Sequence, residues 1–311
     1  MKACFIGVGS IAKRHIKNLK EVCEAEKIFL QIDVCRRFTS KKNEEIEKYV
    51  ANIYYDINEL PKDYDVIFIT NPTEYHLETL CKVHMRAKHF FIEKPLTSYK
   101  KMDKVLDIKL KDDSIYYIAC PLRYNSVIQY IKREVNPNNI VAVRSICSSY
   151  LPEWREGVDY RETYSADKDL GGGVCIDLIH EWDYLKYLFG LPQKVVYIQS
   201  KKSNLEINCE DYAGYIAEYD DKIVELHLDY FGRKSIREIM IFTEEDTIVG
   251  DIINGKVTYL KSGKIVEFSS NRDEYQKREI MHFLEMINGK IQNDNDIKDA
   301  YQTLKLTKGI I

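Results

Sequence analysis

Residues 2–12 read Lys2-Ala3-Cys4-Phe5-Ile6-Gly7-Val8-Gly9-Ser10-Ile11-Ala12, and this stretch decides the fold. The apolar run 3–6 predicts a strand. It runs straight into a GxGxxA pattern at the head of a helical stretch over 11–19. The first glycine permits a tight turn, and the second lets backbone amides approach a pyrophosphate. Ala12 allows close helix–sheet packing, while the helix N-terminus offers unpaired N–H groups and a partial positive charge. A plain strand-to-helix turn is the alternative. The βαβ context favours a dinucleotide cradled by Gly7, Val8, Gly9, Ser10, Ile11 and Ala12.

Working outward, residues 28–35 (IFLQIDVC) predict a second strand and the charged stretch 41–48 a helix. The run 66–70 (VIFIT) suits a strand buried on both faces of a parallel sheet. A helix over 74–87, a strand over 89–92, a helix from 98 and a strand over 115–119 continue the β-α alternation of a doubly wound sheet. Beyond Cys120 the pattern changes. A helix over 127–134 leads to a long strand over 140–150, then a helix over 174–189 closed by Gly190 and Pro192. Strands over 195–200, 212–219, 223–230 and 236–243 follow without helices between them, and their alternation fits a sheet with one packed face. Helices over 275–287 and 297–308 come last. The expected fold class is α/β: a Rossmann-type doubly wound parallel sheet over 1–120, then an α+β domain over 121–311 with a mostly antiparallel sheet. The last helix could pack back on the first domain.

Composition narrows the function. Lys plus Arg is 46 against 49 Asp plus Glu, a net charge of −3 over 311 residues, which argues against a nucleic-acid or anionic-membrane partner held by bulk charge. No apolar run approaches the ~18 residues of a membrane helix, and the first residues do not read as a signal peptide, so a soluble cytoplasmic protein is expected. The eight cysteines are scattered with no CxxC pair and no zinc-like spacing, so no metal is expected. The 23 tyrosines fit a Lys-, Ile- and Asn-heavy composition better than a ligand-stacking role.

The end of the second strand bears on the cofactor. An acid there usually holds the ribose hydroxyls of NAD, whereas arginine accommodates a 2′-phosphate. The strand ends Cys35-Arg36-Arg37, and the nearest acid, Asp33, lies inside it. Two guanidiniums suit a phosphate monoester, so NAD(P) with a preference for NADP is expected. The alternative is a solvated strand end in an NAD enzyme.

Three further segments act together: Thr70-Asn71-Pro72 with His76, Glu93-Lys94-Pro95, and Gly171-Gly172-Gly173 with Asp177 and His180. The first two follow predicted parallel strands, where open α/β sheets bind ligands. The combination resembles the Gfo/Idh/MocA family of NAD(P)-dependent oxidoreductases, named for glucose–fructose oxidoreductase and inositol dehydrogenase. The resemblance covers the chain from residue 7 to about residue 190. It implies that Lys94 is the catalytic lysine beside nicotinamide and substrate, and that Asp177 and His180 complete the site. It also places Thr70, Asn71, Pro72, His76, Glu93 and Arg123 toward the cofactor, Arg123 toward the substrate as well, and allows a cis bond before Pro95. Alcohol oxidation needs a base within hydrogen-bond reach of the hydroxyl, and desolvation makes a lysine usable near neutrality.

The family usually puts three residues between the Asp and the His, but here only Leu178 and Ile179 intervene. Which of His180, Glu181 and Asp183 fills the usual position is therefore open. Residues 151–166 concentrate aromatics and arginines. Trp154, Arg155, Tyr160, Arg161 and Tyr164 are candidate substrate contacts for a sugar ring and an acidic group. The segment is similar to a branch associated with surface-glycan and acidic amino-sugar pathways. Alternatively, its aromatics pack the loop down and its arginines pair with Glu153, Glu156 and Glu162. The implied activity is hydride transfer between nicotinamide and a hydroxyl or keto carbon of a sugar. A cofactor-retaining glycosidase and a non-catalytic dinucleotide sensor are the competing functions. The sheet's second face suggests a homodimer or homotetramer.

Overall fold

Strand β1 (Lys2–Ile6) sends Ala3 and Phe5 into one apolar cluster and Cys4 and Ile6 into another, as a strand covered on both faces must. The computed structural model describes residues 1–38, 44–269 and 271–311. It divides into two units, Met1–Cys120 with Asp273–Tyr301 and Pro121–Arg272 with Gln302–Ile311. The expected second segment, 121–311, is thus interrupted by residues that group with the first.

In the first unit β1 leads to α1 (Ser10–Ala25), β2 (Gln31–Cys35), the short α2 (Glu44–Glu47) and β3 (Asn52–Tyr54). Then come β4 (Tyr64–Ile69), α3 (His76–Val83), β5 (Ala87–Glu93) and β6 (Tyr116–Ala119). The strands form one parallel sheet in the order β3-β2-β1-β4-β5-β6. The helix expected over 41–48 is described only as α2, and residues 41–43 lie outside the described residues. The helix expected from 98 is a 3₁₀ stretch, Tyr99–Asp107. On one face of the sheet Phe5, Phe68 and Phe91 pack with Ile16 of α1, Phe5 stacking on Phe68 with centroids 4.3 Å apart. On the other face Ile6, Ile69 and Ile92 pack with Leu77 and Leu80 of α3.

The second unit begins with α4 (Ser126–Glu134), β7 (Ile140–Tyr150), α5 (Val174–Asp177) and α6 (His180–Phe189). Strands β8 (Lys194–Ser200), β9 (Tyr212–Glu218), β10 (Ile223–Asp229) and β11 (Phe231–Thr243) follow. Three short strands complete the sheet: β12 (Thr247–Asp251), β13 (Lys256–Tyr259) and β14 (Ile265–Glu267). Helix α7 (Arg272–Ile287) packs Ile280 and Phe283 into the first unit's core, and the division between units falls within α8 (Ile297–Leu306). The eight strands run β14-β13-β12-β11-β7-β10-β9-β8. Every pairing is antiparallel except β7 with β10. The buried face carries Tyr215, Leu226, Val143 and Ile239, with Trp182 of α6 edge-on to Tyr215 at 5.2 Å.

The helix expected over 174–189 is broken. Leu178, at φ −92° and ψ 25°, closes α5, and α6 restarts at His180. Asp177 and His180 therefore stand on separate helical segments and do not share one helix face. No helix among the described residues is long and apolar enough to cross a membrane.

Candidate active site

The register of the parallel sheet builds the first half of the site. Ile6 pairs with Ile69, and Ile69 with Ile92. The residues that follow, Gly7, Thr70 and Glu93, thus form a row along the carboxyl edge of β1, β4 and β5. With strands ~4.8 Å apart, the row spans about 10 Å. Lys94 comes next.

Gly7 adopts φ +89°, and a Cβ there would lie 2.7 Å from Asn71 Cα, so only glycine fits. Its N–H donates to Cys35 O at 2.9 Å, while Thr70 Oγ1 donates to Gly7 O at 2.8 Å. A Cβ on Gly9 would meet nothing within 4 Å. Gly9 caps α1 without a side chain, and the first turn holds no acid. The amides that open α1 thus have no N-cap side chain and no acid in their own first turn, which fits a pyrophosphate. Val8 and Ile11 are half-buried, Ser10 is exposed and Ala12 is buried against the sheet.

Asp33 lies wholly inside the unit and accepts from Asn52 Nδ2 and Tyr64 OH, each at 2.9 Å. It is unavailable to a ribose. Arg36 is buried and paired with Glu47 at 2.8 Å, so it is not the exposed phosphate ligand expected from the sequence. Arg37 is exposed, with its guanidinium 6.0 Å from the Tyr75 ring centroid.

Asn71 turns its amide to Thr79 Oγ1 at 2.7 Å, and Pro72 is exposed. His76 is 1% exposed; Nδ1 faces Pro95 O and Nε2 faces Asn71 O, each at 2.8 Å. Only an imidazolium could donate to both carbonyls. Burial dominates and pushes the ring toward the neutral form, so near neutral pH one contact lacks a proton. His76 braces two loops and is too enclosed to touch a cofactor, unlike the role the family resemblance gives it. Lys94 is half-buried, and the Lys94–Pro95 bond is cis.

In the second unit the triple glycine lets two backbones touch: a Cβ on Gly172 would sit 2.2 Å from Tyr164 O. That contact brings the 151–166 loop onto α5. Tyr164 OH donates to Asp177 Oδ1 at 3.0 Å, and Ser165 Oγ and Tyr230 OH donate to Oδ2 at 2.6 and 3.1 Å. The nearby Asp177 charge, with burial, pushes the Tyr164 phenol above its ordinary value. Ser165 and Tyr230 were not legible as site residues, because their link to Asp177 exists only in the folded sheet.

The three candidates on α6 separate. Glu181 is fully buried, with Oε1 2.9 Å from Arg237 Nε. Asp183 is 1% exposed and takes Arg123 in a fork, Nε to Oδ2 at 2.8 Å and a terminal nitrogen to Oδ1 at 2.7 Å. His180 is half-buried and belongs to neither of these core pairs. Arg123, with its guanidinium also 5.4 Å from the Tyr187 ring, is a core group and not an arm toward a ligand.

The 151–166 loop answers its two alternatives in part. Trp154 meets Tyr230 edge-on at 5.2 Å and donates to Ser149 Oγ at 2.9 Å. Tyr160 OH accepts from Glu206 N at 3.1 Å. Arg161 pairs with Asp159 and Glu206, at 2.6 and 2.9 Å, rather than with the acids expected. Arg155 is exposed and lies 5.2 Å above the Tyr164 ring centroid. Trp154, Arg155, Tyr160 and Ser165 help line a small hollow. Among the described residues no group of three or more His, Cys, Asp or Glu could hold a metal.

Two family models match the chain. Residues 1–119 fit the Gfo/Idh/MocA oxidoreductase family, NAD-binding Rossmann fold, and residues 128–249 fit the Gfo/Idh/MocA C-terminal domain. The scyllo-inositol 2-dehydrogenase (NAD(+)) of Bacillus subtilis is 24% identical over 335 aligned positions, covering 100% of this chain and 92% of that enzyme. The myo-inositol 2-dehydrogenase of Thermotoga maritima is 25% identical over 194 residues; the match covers 61% of this chain and spans 55% of that enzyme's length. A levoglucosan dehydrogenase solved with NADH and levoglucosan superposes with a TM-score of 0.84 at 17% identity, covering 100% of this chain and 96% of that one. At that identity the likeness is one of fold. With both of its parts matched in order, the chain belongs to the Gfo/Idh/MocA oxidoreductase family and carries that family's NAD-binding Rossmann fold.

Proposed function

We propose that the protein is an NAD(P)-dependent dehydrogenase or reductase acting on a secondary hydroxyl, or the matching ketone, of a sugar or polyol. The observation that carries this is the row along one sheet edge: an uncovered glycine turn, Thr70 and then Lys94. The nicotinamide, when bound, accepts or supplies the hydride. The amides at the start of α1 hold the pyrophosphate. Lys94 and His180 handle the proton of the substrate hydroxyl. Asp177, fixed by three hydroxyl donors, orients the sugar and does not move. The core pairing of Glu181 and Asp183 supports His180 as the proton-handling residue of α6. Arg155 on its tyrosine is the loop's reader of an acidic substituent.

Arg37 is the proposed discriminator between cofactors. With Asp33 sequestered and Arg36 paired, Arg37 is an exposed cation just past the end of β2, which supports NADP over NAD. The test is nicotinamide absorbance with inositols, neutral sugars and sugar acids, with each cofactor in turn. Turnover with added NADP and one of these substrates is expected. Arg37→Ala should lower kcat/KM for NADP about tenfold and leave NAD within about twofold. No turnover with any of these substrates would count against the assignment. Activity without added cofactor would point to the cofactor-retaining glycosidase.

The second sheet face supports self-association. Val196, Ile198 and Ile216 are 55%, 66% and 54% exposed on adjacent strands, an apolar patch of the kind that marks an interface. Light scattering after gel filtration should give a dimer or tetramer, and Ile198→Asp should shift it to a smaller species. A monomeric wild type would remove this part of the proposal.

A further inference from the structure

The loops that leave the adjacent strands β4 and β5 are joined to each other by polar contacts. His76 Nδ1 meets Pro95 O at 2.8 Å. Two residues earlier, Glu74 reaches further along the same neighbouring loop. Ser98 Oγ donates to its Oε2, while Lys101 Nζ lies 2.9 Å from its Oε1 and donates to its backbone carbonyl at 2.6 Å. The Glu74 and Lys101 side chains are only 19% and 20% exposed, so this ion pair is largely shielded from water and holds better than a fully exposed one.

The first of these loops is also pinned to the glycine turn. Thr70 Oγ1 donates to Gly7 O at 2.8 Å, and a Cβ on Gly7 would stand 2.7 Å from Asn71 Cα. Helix α3 keeps Asn71 there: Thr79 Oγ1 accepts from its side-chain amide at 2.7 Å, and His76 Nε2 faces its carbonyl at 2.8 Å. We propose, resting on the dinucleotide cradle assigned above, that Glu74 is a positioning residue: its contacts with Ser98 and Lys101 make the two loops one clamp. A dinucleotide seated on the glycine turn thereby also stiffens residues 95–104, the segment that follows Lys94.

The path of contact is continuous. Gly7 touches Asn71, and Asn71 leads into the turn closed by Tyr75 N on Pro72 O at 2.8 Å. Glu74 lies in that turn and grips Ser98 and Lys101 across the gap. A ligand that orders the glycine turn restricts Asn71 directly, and the restriction passes onward where packed contacts join the segments. The receiving segment is suited to report it. Most of residues 95–104 enters the 3₁₀ stretch Tyr99–Asp107, whose hydrogen bonds are poorer than those of an α-helix, so local opening governs the exchange of its amides. Hydrogen bonds to an ionised carboxylate are roughly twice as strong as neutral ones, and the His76 contact with Pro95 O secures only the start of the loop. Glu74 is therefore the stronger tie to its far end.

The test reads the segment itself and needs no substrate. Hydrogen exchange in the full-length protein is followed by mass spectrometry, with and without a saturating concentration of NADH or NADPH, whichever binds more tightly. In the wild type the cofactor should slow exchange in peptides covering 95–104 by about fivefold. Glu74→Ala should cut that protection to less than about twofold, while cofactor affinity, read by nicotinamide fluorescence, stays within about threefold. Lys101→Ala, which removes the ammonium that the carboxylate holds, should do at least as much. Adding Glu74→Ala to it should change little further. A Glu74 that served stability alone would raise exchange equally with and without cofactor and leave the ratio unchanged. That result, or no protection of 95–104 in the wild type, overturns the proposal. Failure of the wild type to bind either cofactor is a separate result, seen by fluorescence alone, and removes the cradle on which the proposal rests.

Discussion

Lys94→Ala should lower kcat by about 10²–10⁴-fold, the usual contribution of a positioned acid–base group, while leaving nicotinamide cofactor affinity nearly unchanged. The two effects separate because the lysine is held by structure that does not depend on its amine. Glu93 is hydrogen-bonded by His15 on one side, and Pro95 O is met by His76 on the other. The glycine turn is clasped by Thr70 and Cys35. Truncation should therefore remove the amine and leave the cradle standing. Cofactor binding is measured by quenching of protein fluorescence, and turnover by nicotinamide absorbance. A loss confined to KM would mean that Lys94 only binds substrate, since ground-state binding and transition-state chemistry separate in that way. Undiminished turnover would withdraw the lysine from the mechanism.

Asp183→Ala is expected to destabilise the protein by about 3–5 kcal/mol, because it removes the carboxylate from a buried ion pair. Asp183 and Arg123 are almost wholly enclosed and meet through two hydrogen bonds. For a unit of this size the change corresponds to a fall in melting temperature of roughly 10 °C, measurable by calorimetry. Replacing both residues by leucine should cost less than either single truncation, since a buried pair exchanged for apolar groups is often close to neutral. The result also bears on the chemistry. Were Asp183 the proton-handling residue of α6, Asp183→Asn would abolish turnover at full stability. The expected outcome is the reverse, a less stable protein that keeps catalytic function while folded.

Much of the first unit was legible because its signals are local. A continuous apolar run such as 66–70 allows a doubly buried strand and little else, and Gly7-Val8-Gly9 restricts the backbone wherever it occurs. Strand β3 was missed because three residues, Asn52–Tyr54, are too few to show a period. The break at Leu178 was missed because residues 174–189 keep helical spacing across it, so no side-chain pattern marks the interruption. The arginines were harder still. Arg36, Arg123 and Arg161 looked like ligand contacts, yet each meets an acid distant in sequence or one the loop pattern did not single out: Glu47, Asp183, and Asp159 with Glu206.

Sequence alone determined the alternation of strands and helices, the glycine turn, the position of Lys94 at the end of its strand, and the family to which the chain belongs. These follow from backbone sterics and side-chain periodicity, which act over a few residues. Only the tertiary structure decided which charges are occupied. It put Asp33 out of reach of a ribose, Glu181 and Asp183 in the core, three hydroxyls on Asp177 and His15 under Glu93. The physical reason is that a buried ion must find its partner in space, and the chain brings that partner from any distance along its length.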